Sequence, residues 1–307
     1  MVRLNYEEFI CFVQKNVQTQ LGKEVRVELH QITKNNDVQL DGLSIVETTK
    51  SISPTIYLND YFQEYQCGTA MAQIIDSILN IYQNNKIKVP VDTDFYTDYL
   101  RVKNNIACKV INYKKNRELL KTVPHVQYLD LAIVFYYFLK SDTLGTGTIL
   151  IHDSHLKMWK ITKEILYEAA RKNTPAMLPF EFKSMEEVMD EIEEGELEEE
   201  FSDVMEDQEC DDDRIPMYVL SNKEKTMGAA CILYDSILTL IGERLQDDFY
   251  ILPSSIHECI VVPKNIRTTK KELQEMVREI NETQVIPEEV LSNEVYTYTR
   301  EIHRLAL

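Results

Sequence analysis

The sequence predicts an α+β protein of two lobes, with related strand-turn-helix units and mixed or antiparallel sheets. At 307 residues the chain is long enough for two domains of ordinary size. Some segments carry apolar residues at three- and four-residue steps, and others alternate apolar with polar residues, which are the helix and strand periods. A strongly acidic stretch falls between the halves, so we predict lobes at 1–183 and 214–307 joined by an acidic linker or surface helices at 184–213.

The first lobe is expected to open with a helix and a hairpin. Asn5 and Glu8 have the spacing of a capping box, and the apolar face that follows runs to Gly22. Alternation from Val25 onward predicts a strand with one polar face. Residues 35–37 supply the turn to its partner strand.

Residues 217–263 form the stretch around which the rest is organised. It reads as strand, polar turn, glycine, long amphipathic helix, strand, polar loop and strand. Gly228 should open the helix, whose apolar stripe continues to Leu245. Strands are predicted at 249–252 and 256–262, on either side of the polar loop.

Residues 55–83 resemble a second copy of this unit. The string Asp-Ser-Ile-Leu occurs at 76–79 and again at 235–238, and the apolar stripes align around it. A duplication would place Gly68 and Gly228 at equivalent strand-to-helix junctions. The alternative is that any two amphipathic helices match at this level. Four stripe residues are expected in the core: Ile74, Ile78, Leu233 and Ile237.

Other elements follow from local patterns. Strands are predicted at 106–111, 128–139, 148–151 and 294–299, and a short basic helix at 114–121. A helix should begin near Asp153 and continue through Ala170. Ser184 with Glu187, and Thr269 with Glu272, have capping-box spacing and predict two more helices. Residues 300–307 are expected to be a short tail.

Composition limits the functional classes. No long uncharged apolar run and no signal-peptide pattern is present, which favours a cytoplasmic location. The six cysteines form no CxxC pair, so we expect reduced thiols rather than disulfides or structural zinc. Residues 184–213 hold 17 acidic and no basic residues, which leaves 34 acidic against 33 basic elsewhere. The body is nearly neutral, and direct nucleic-acid binding and membrane association are not expected.

One polar loop has the residue types of a hydrolase site. Ser254, Ser255, His257 and Glu258 place hydroxyls, an imidazole and a carboxylate between two strands. A nucleophile needs a base within hydrogen-bond reach, and the base needs an orienting group. The competing interpretation is a turn whose serines bind backbone, because His257 and Glu258 point to opposite faces if the strand has already begun.

His152 and His155 are candidate metal ligands, because a three-residue separation brings two imidazoles to one side of a helical turn. No third ligand is near in sequence, so turn histidines are the competing interpretation. Phosphate-binding loops, HExxH and GxSxG are absent from the sequence, and no cofactor is expected.

The segments SPTIYLNDYFQEYQCG and PMYVLSNKEKTMGAACILYDSILTLIGERLQDDFYILPSSIHECIVVP resemble a family of unknown function that is common in anaerobic gut Firmicutes and on their mobile elements. The resemblance covers nearly the whole chain. It implies a bacterial, intracellular protein and carries no catalytic residue with it.

These observations favour a binding or regulatory module. The alternatives are a hydrolase that uses the loop at 254–258, and an acidic decoy that binds a basic or nucleic-acid-binding partner through residues 184–213.

Overall fold

A computed structural model describes residues 3–47, 55–84, 94–141, 145–196 and 215–307. The chain divides into two compact units: residues 1–97 with 140–146, and residues 98–139 with 147–307. The boundaries expected after residues 183 and 213 do not coincide with this division. Strands on either side of that acidic stretch, Phe180–Ser184 and Tyr218–Asn222, pair with each other inside the second unit.

In the residues that the structure describes, the first unit contains a three-stranded antiparallel sheet and three α-helices. Its elements are α1 (Tyr6–Leu21), β1 (Val25–Thr33), β2 (Gln39–Glu47), β3 (Thr55–Tyr57), α2 (Asn59–Cys67) and α3 (Met71–Asn84), with the strands in the order β1-β2-β3. The Asn5–Glu8 capping box begins α1 and Gly22 ends it, as predicted. The predicted hairpin is also confirmed, with residues 35–37 in the turn.

The core of the first unit is formed by α1, the sheet and α3. Ile74 and Ile78 of α3 are buried to 1% and 0% exposure, which confirms their predicted place in the core. They pack with Phe9 of α1 and Ile45 of β2 in one cluster. Burying a side chain of this size contributes roughly 1.5–3 kcal/mol to folding.

The described part of the second unit contains two sheets. Its elements are α4 (Tyr99–Val102), β4 (Ile106–Asn112), β5 (His125–Tyr128), β6 (Leu131–Ser141), β7 (Gly145–Leu150), α5 (Asp153–Trp159), α6 (Lys163–Met177), β8 (Phe180–Ser184), α7 (Met185–Glu196), β9 (Tyr218–Asn222), α8 (Ile237–Leu245), β10 (Phe249–Leu252), β11 (Cys259–Pro263), α9 (Lys270–Thr283), β12 (Tyr296–Thr299) and β13 (Arg304–Ala306). One sheet has the order β4-β6-β5 with β7 beside β6, and the other has the order β13-β12-β10-β11-β9-β8. All five pairings of the larger sheet are antiparallel, so the predicted α+β class is confirmed.

A carboxylate connects the two sheets. Asp130 lies in the turn between β5 and β6, and its two carboxylate oxygens accept hydrogen bonds from Ser292 Oγ at 2.6 Å and from the Tyr296 hydroxyl at 2.5 Å. Hydrogen bonds to a charged acceptor are stronger than neutral ones. Burial, together with the charge of Asp130, raises the pKa of Tyr296, so its hydroxyl remains a donor.

The predicted long helix after Gly228 is wrong. Residues Gly228–Leu233 form a 3-10 helix, and α8 begins only at Ile237. Between them Tyr234 is extended, and Ser236 has a left-handed φ of 64°. The Tyr234 hydroxyl donates to the Leu178 carbonyl at 2.8 Å. This bond to a distant carbonyl favours the extended backbone at Tyr234, which a continuous α-helix would not have.

The predicted equivalence of Gly68 and Gly228 is also wrong. Gly68 ends α2 with a left-handed φ of 110°, and Gly228 is the buried first residue of a 3-10 helix. The two Asp-Ser-Ile-Leu strings differ in the same way, because residues 76–79 lie inside α3 whereas Asp235 and Ser236 precede α8. The matched stripes therefore reflect amphipathic periodicity shared by unlike structures. Ile237 is buried as predicted, and Leu233 is only half-buried.

Several local predictions need correction. Residues 114–121 form turns that end in a 3-10 helix, Leu119–Lys121, instead of a basic helix. The helix predicted from Asp153 is interrupted by Lys160, whose φ of 55° ends α5 before α6 begins. Strand β8 was not predicted, and the supposed tail contains β13.

Candidate functional site

The loop at residues 254–258 joins β10 to β11, and its imidazole is held from both sides. His257 Nδ1 accepts a hydrogen bond from the Met227 amide at 3.3 Å. Its Nε2 lies 3.1 Å from Glu289 Oε1. Because an accepting Nδ1 carries no proton, Nε2 carries it and donates to the carboxylate. Both ring nitrogens are therefore engaged with groups outside the loop.

The serines of this loop contact backbone rather than the imidazole. Ser255 is buried, and its Oγ accepts from the His257 amide at 3.0 Å. The Ser254 carbonyl accepts from the Leu291 amide at 2.9 Å. Within the described residues neither hydroxyl bonds the ring, and the carboxylate that orients it belongs to Glu289 instead of Glu258. The expected nucleophile, base and orienting group are thus not assembled as the sequence suggested.

The strand-to-helix connection beside His257 is tightly folded. Asn222 is fully buried, and its side chain accepts from the Glu224 amide at 3.0 Å and donates to the Thr226 carbonyl at 2.7 Å. Lys225 and Met227 have left-handed φ values of 50° and 54°. Such conformations cost about 1–3 kcal/mol each and persist only where the surroundings impose them.

Gly228 lets this connection approach the histidine loop. Ser221 Oγ donates to the His257 carbonyl at 2.7 Å. A Cβ on Gly228 would collide with both of these oxygens and would lie 2.8 Å from the Asn222 amide nitrogen. We call residues 221–228 together with His257 and Glu289 the histidine brace. Its contacts fix β9, the 3-10 helix and the β10–β11 loop to one another.

The predicted metal pair lies at the start of α5. His155 Nδ1 accepts from the His152 amide at 3.0 Å, so this nitrogen is committed to the helix start. The His152 and His155 rings are 5.7 Å apart, and His155 is also 5.7 Å from the Trp159 ring. Burial, and secondly the nearby His152, lowers the pKa of His155. Across the described ranges, no group of three or more metal-binding side chains comes together.

The described part of the acidic stretch is α7. Its start is the predicted capping box: Ser184 Oγ accepts from the Glu187 amide at 3.1 Å, and the Glu187 carboxylate accepts from the Ser184 amide at 2.6 Å. Glu191 forms ion pairs with Lys183 at 2.5 Å and Lys225 at 3.8 Å. These contacts hold the acidic helix against β8 and the connection after β9. The rest of the predicted acidic linker or surface helices, residues 197–213, lies outside the described residues.

The outer surface of α7 combines apolar and acidic side chains. Met189 and Ile192 are each 54% exposed. Glu186, Asp190 and Glu193 are exposed as well, and at four- and three-residue steps they form a row beside the apolar pair. No basic side chain occurs on this helix. The surface is therefore an apolar pair bordered by carboxylates.

A polar cleft of about 500 Å³ lies where α8 ends and β12 turns into β13. The side chains around it are Thr239, Glu243, Gln246, Asp247, Asp248, Tyr298, Arg300, Glu301 and His303. On one wall the Thr239 hydroxyl lies 3.1 Å from the Tyr298 hydroxyl, which lies 3.3 Å from His303 Nδ1. The cleft volume falls within the usual range for small-ligand sites.

The model of a family described as a family of unknown function, DUF5688, matches residues 6–300. The chain belongs to the DUF5688 family. This match confirms the predicted resemblance to a family of unknown function, and it spans both units of the DUF5688 fold described above. No curated protein and no solved structure matches this DUF5688 chain. In the described residues no helix is long and apolar enough to span a bilayer.

Sequence reasoning missed the cleft. The sequence pattern assigns residues 246–248 no role beyond following the apolar stripe that ends at Leu245, and it predicts only a tail at residues 300–307. The cleft arises because β12 and β10 are neighbours in the sheet. This pairing brings Arg300 next to Asp248, and the Arg300 amide donates to the Asp248 carboxylate at 2.9 Å. The sequence signal that could have indicated the cleft is weak: both segments are dense in charged residues.

Proposed function

We propose that this DUF5688 protein is a binding module that recruits a basic protein partner through the outer surface of α7. One observation carries the proposal: Met189 and Ile192 are each half exposed on a helix whose charged side chains are all acidic. An amphipathic helix usually buries its apolar stripe, so an exposed apolar pair bordered by carboxylates is available for contact with a partner.

The partner chemistry follows from the surface. A segment with apolar side chains flanked by lysine or arginine would cover Met189 and Ile192 and pair with Glu186, Asp190 and Glu193. Opposite charges accelerate association and select the partner, while the apolar pair supplies short-range contact. Salt at physiological ionic strength screens such attraction beyond about 8 Å. Recruitment should therefore weaken as salt rises.

The proposal includes a cellular setting, the cytoplasm of an anaerobic gut Firmicute. The thiols support a reducing compartment, because Cys11 and Cys67 are exposed and free while Cys108, Cys231 and Cys259 are buried and free.

The test uses two amphipathic peptides with the same apolar residues, one with lysine and one with glutamate at every polar position. Fluorescence anisotropy would measure their affinity for the full chain at two salt concentrations. We expect the lysine peptide to bind and the glutamate peptide not to bind. The double substitution Met189→Ser/Ile192→Ser should weaken binding at least tenfold, or about 1.4 kcal/mol.

Control variants on other helices test whether binding depends on the surface of α7 or on the acidity of the protein in general. Ile165→Ser removes a similarly exposed side chain, 46% exposed, from α6 and should leave the affinity unchanged. Neutralising Glu186, Asp190 and Glu193 should reduce the salt dependence, while neutralising three exposed carboxylates of α9 should not. Equal losses from the α7 and α9 variants would refute recruitment by this surface.

A further inference from the structure

The cleft between the end of α8 and the β12–β13 turn contains unpaired charges of both signs. Arg300 is half-buried, and no described carboxylate lies within ion-pair distance of its guanidinium. Glu243 and Glu301 border the same cleft, and within the described chain neither carboxylate has a cationic partner. Opposite charges that share a concave site without pairing are available to a ligand that carries both.

The remaining carboxylates are partly occupied by the fold. Asp247 accepts from the Asn265 amide at 2.7 Å, and Asp248 accepts from the Arg300 amide while lying 3.6 Å from Lys264 Nζ. These bonds fix the two loops that border the cleft. Four carboxylates against one guanidinium still leave the cleft net negative. A ligand that complements it carries more positive than negative charge.

The shape of the cleft also favours a small organic molecule. Its volume of about 500 Å³ suits a compact ligand, and its wall offers the Thr239 and Tyr298 hydroxyls and the His303 imidazole. Gly242 allows the Arg300 side chain to lie close to α8, because a Cβ on this residue would lie only 3.1 Å from Arg300 Cγ. No described carboxylates gather into a group that would hold a metal ion.

We propose that this cleft binds a small zwitterion of net positive charge, the chemistry of a free basic amino acid. The ligand carboxylate pairs with Arg300, whose planar guanidinium matches a carboxylate in a two-bond geometry. The ligand cations pair with Glu243 and Glu301, which border the same cleft. This site shares no residue with the recruiting surface on α7, so each proposal can be refuted without affecting the other.

Isothermal titration calorimetry at low salt tests the proposal with L-arginine, L-lysine, agmatine and L-glutamate. Agmatine lacks the carboxylate of arginine, and glutamate lacks the excess positive charge. We expect arginine and lysine to bind saturably, agmatine to bind about ten- to a hundredfold more weakly than arginine, and glutamate not to bind. A charge-assisted pair of this kind accounts for a difference of that size.

Substitutions assign the two subsites. Arg300→Gln should reduce the arginine-to-agmatine affinity ratio to about one, whereas Arg304→Gln, the same charge change at an exposed position of β13, should preserve it. Glu243→Gln/Glu301→Gln should weaken both ligands, while Glu279→Gln/Glu282→Gln on exposed positions of α9 should weaken neither. Circular dichroism would check that each variant is folded.

The proposal fails if neither basic amino acid binds saturably. It also fails if wild-type protein binds arginine and agmatine equally, or if the Arg304 and α9 controls weaken binding as much as the cleft variants do. If the lysine peptide fails to bind α7 while arginine still binds the cleft, only the proposed recruiting surface is refuted.

Discussion

Replacing Gly228 with alanine should destabilise the second unit severely. The added Cβ would overlap Ser221 Oγ and the His257 carbonyl oxygen and would lie 2.8 Å from the Asn222 amide nitrogen. Two of these three atoms belong to backbone that the histidine brace already fixes, so they have little room to move.

The magnitude follows from two losses. Overpacking of a well-packed site costs about 1–3 kcal/mol. Displacing Ser221 also breaks its 2.7 Å bond to the His257 carbonyl, and a buried group left without its partner costs about 1–3 kcal/mol. We therefore expect Gly228→Ala to lower the free energy of unfolding by roughly 2–6 kcal/mol, a large share of a typical total of about 5–15 kcal/mol.

Urea unfolding followed by tryptophan fluorescence is a direct assay, because the chain has one tryptophan and it lies in the second unit. Gly147→Ala is the matched control, since a Cβ there meets nothing within 4 Å. Its unfolding free energy should change by no more than about 0.5 kcal/mol. A loss below about 1 kcal/mol for Gly228→Ala would refute the close packing on which the brace depends.

Three further outcomes are expected. Ile78→Ala and Ile237→Ala should each cost roughly 2–5 kcal/mol by circular dichroism in urea, and losses below about 1 kcal/mol at both would indicate exposed faces. The pKa of His155 is lowered in the folded state, so its contribution to stability is fully present above the unfolded pKa of about 6.5 and is lost as pH falls toward the folded value. His155→Asn should reduce the change in the unfolding midpoint between pH 7 and pH 5. An equally steep dependence of the midpoint on pH in the variant would contradict this. Replacing residues 195–213 with a neutral flexible linker keeps Met189 and Ile192 of α7 but removes most carboxylates of the acidic stretch, so both units should stay folded while capture of a basic partner weakens through lost long-range attraction. Unfolding, or capture with unchanged salt dependence, would contradict that expectation.

Local signals predicted the helix starts well. The capping boxes at Asn5, Ser184 and Thr269 each depend on a side chain three residues away, so the sequence contains the whole interaction. The buried strand β6 was predicted for a similar reason, because its apolar run leaves no polar face.

Long-range contacts account for the errors. The helix predicted from Gly228 is broken at Tyr234, whose hydroxyl partner, Leu178, is 56 residues away. His257 binds Glu289 across 32 residues, so the adjacent Glu258 was a misleading neighbour. Neither partner is visible in a local pattern. The cleft around Arg300 was hidden for the same reason, since it exists only after β10 and β12 pair.

The carboxylate that joins the two sheets has a consequence for protein synthesis. Asp130 leaves the ribosome well before Ser292 and Tyr296, which follow it by 162 and 166 residues. Until they are made, the nascent chain holds a carboxylate with neither of its hydroxyl donors, and strand β10 lacks its neighbour β12. Contacts of such separation slow folding, and domains generally fold as units during synthesis. The second unit should therefore complete its fold only after nearly the whole chain has been translated, whereas α1 to α3 and β1 to β3 of the first unit are all encoded before residue 85.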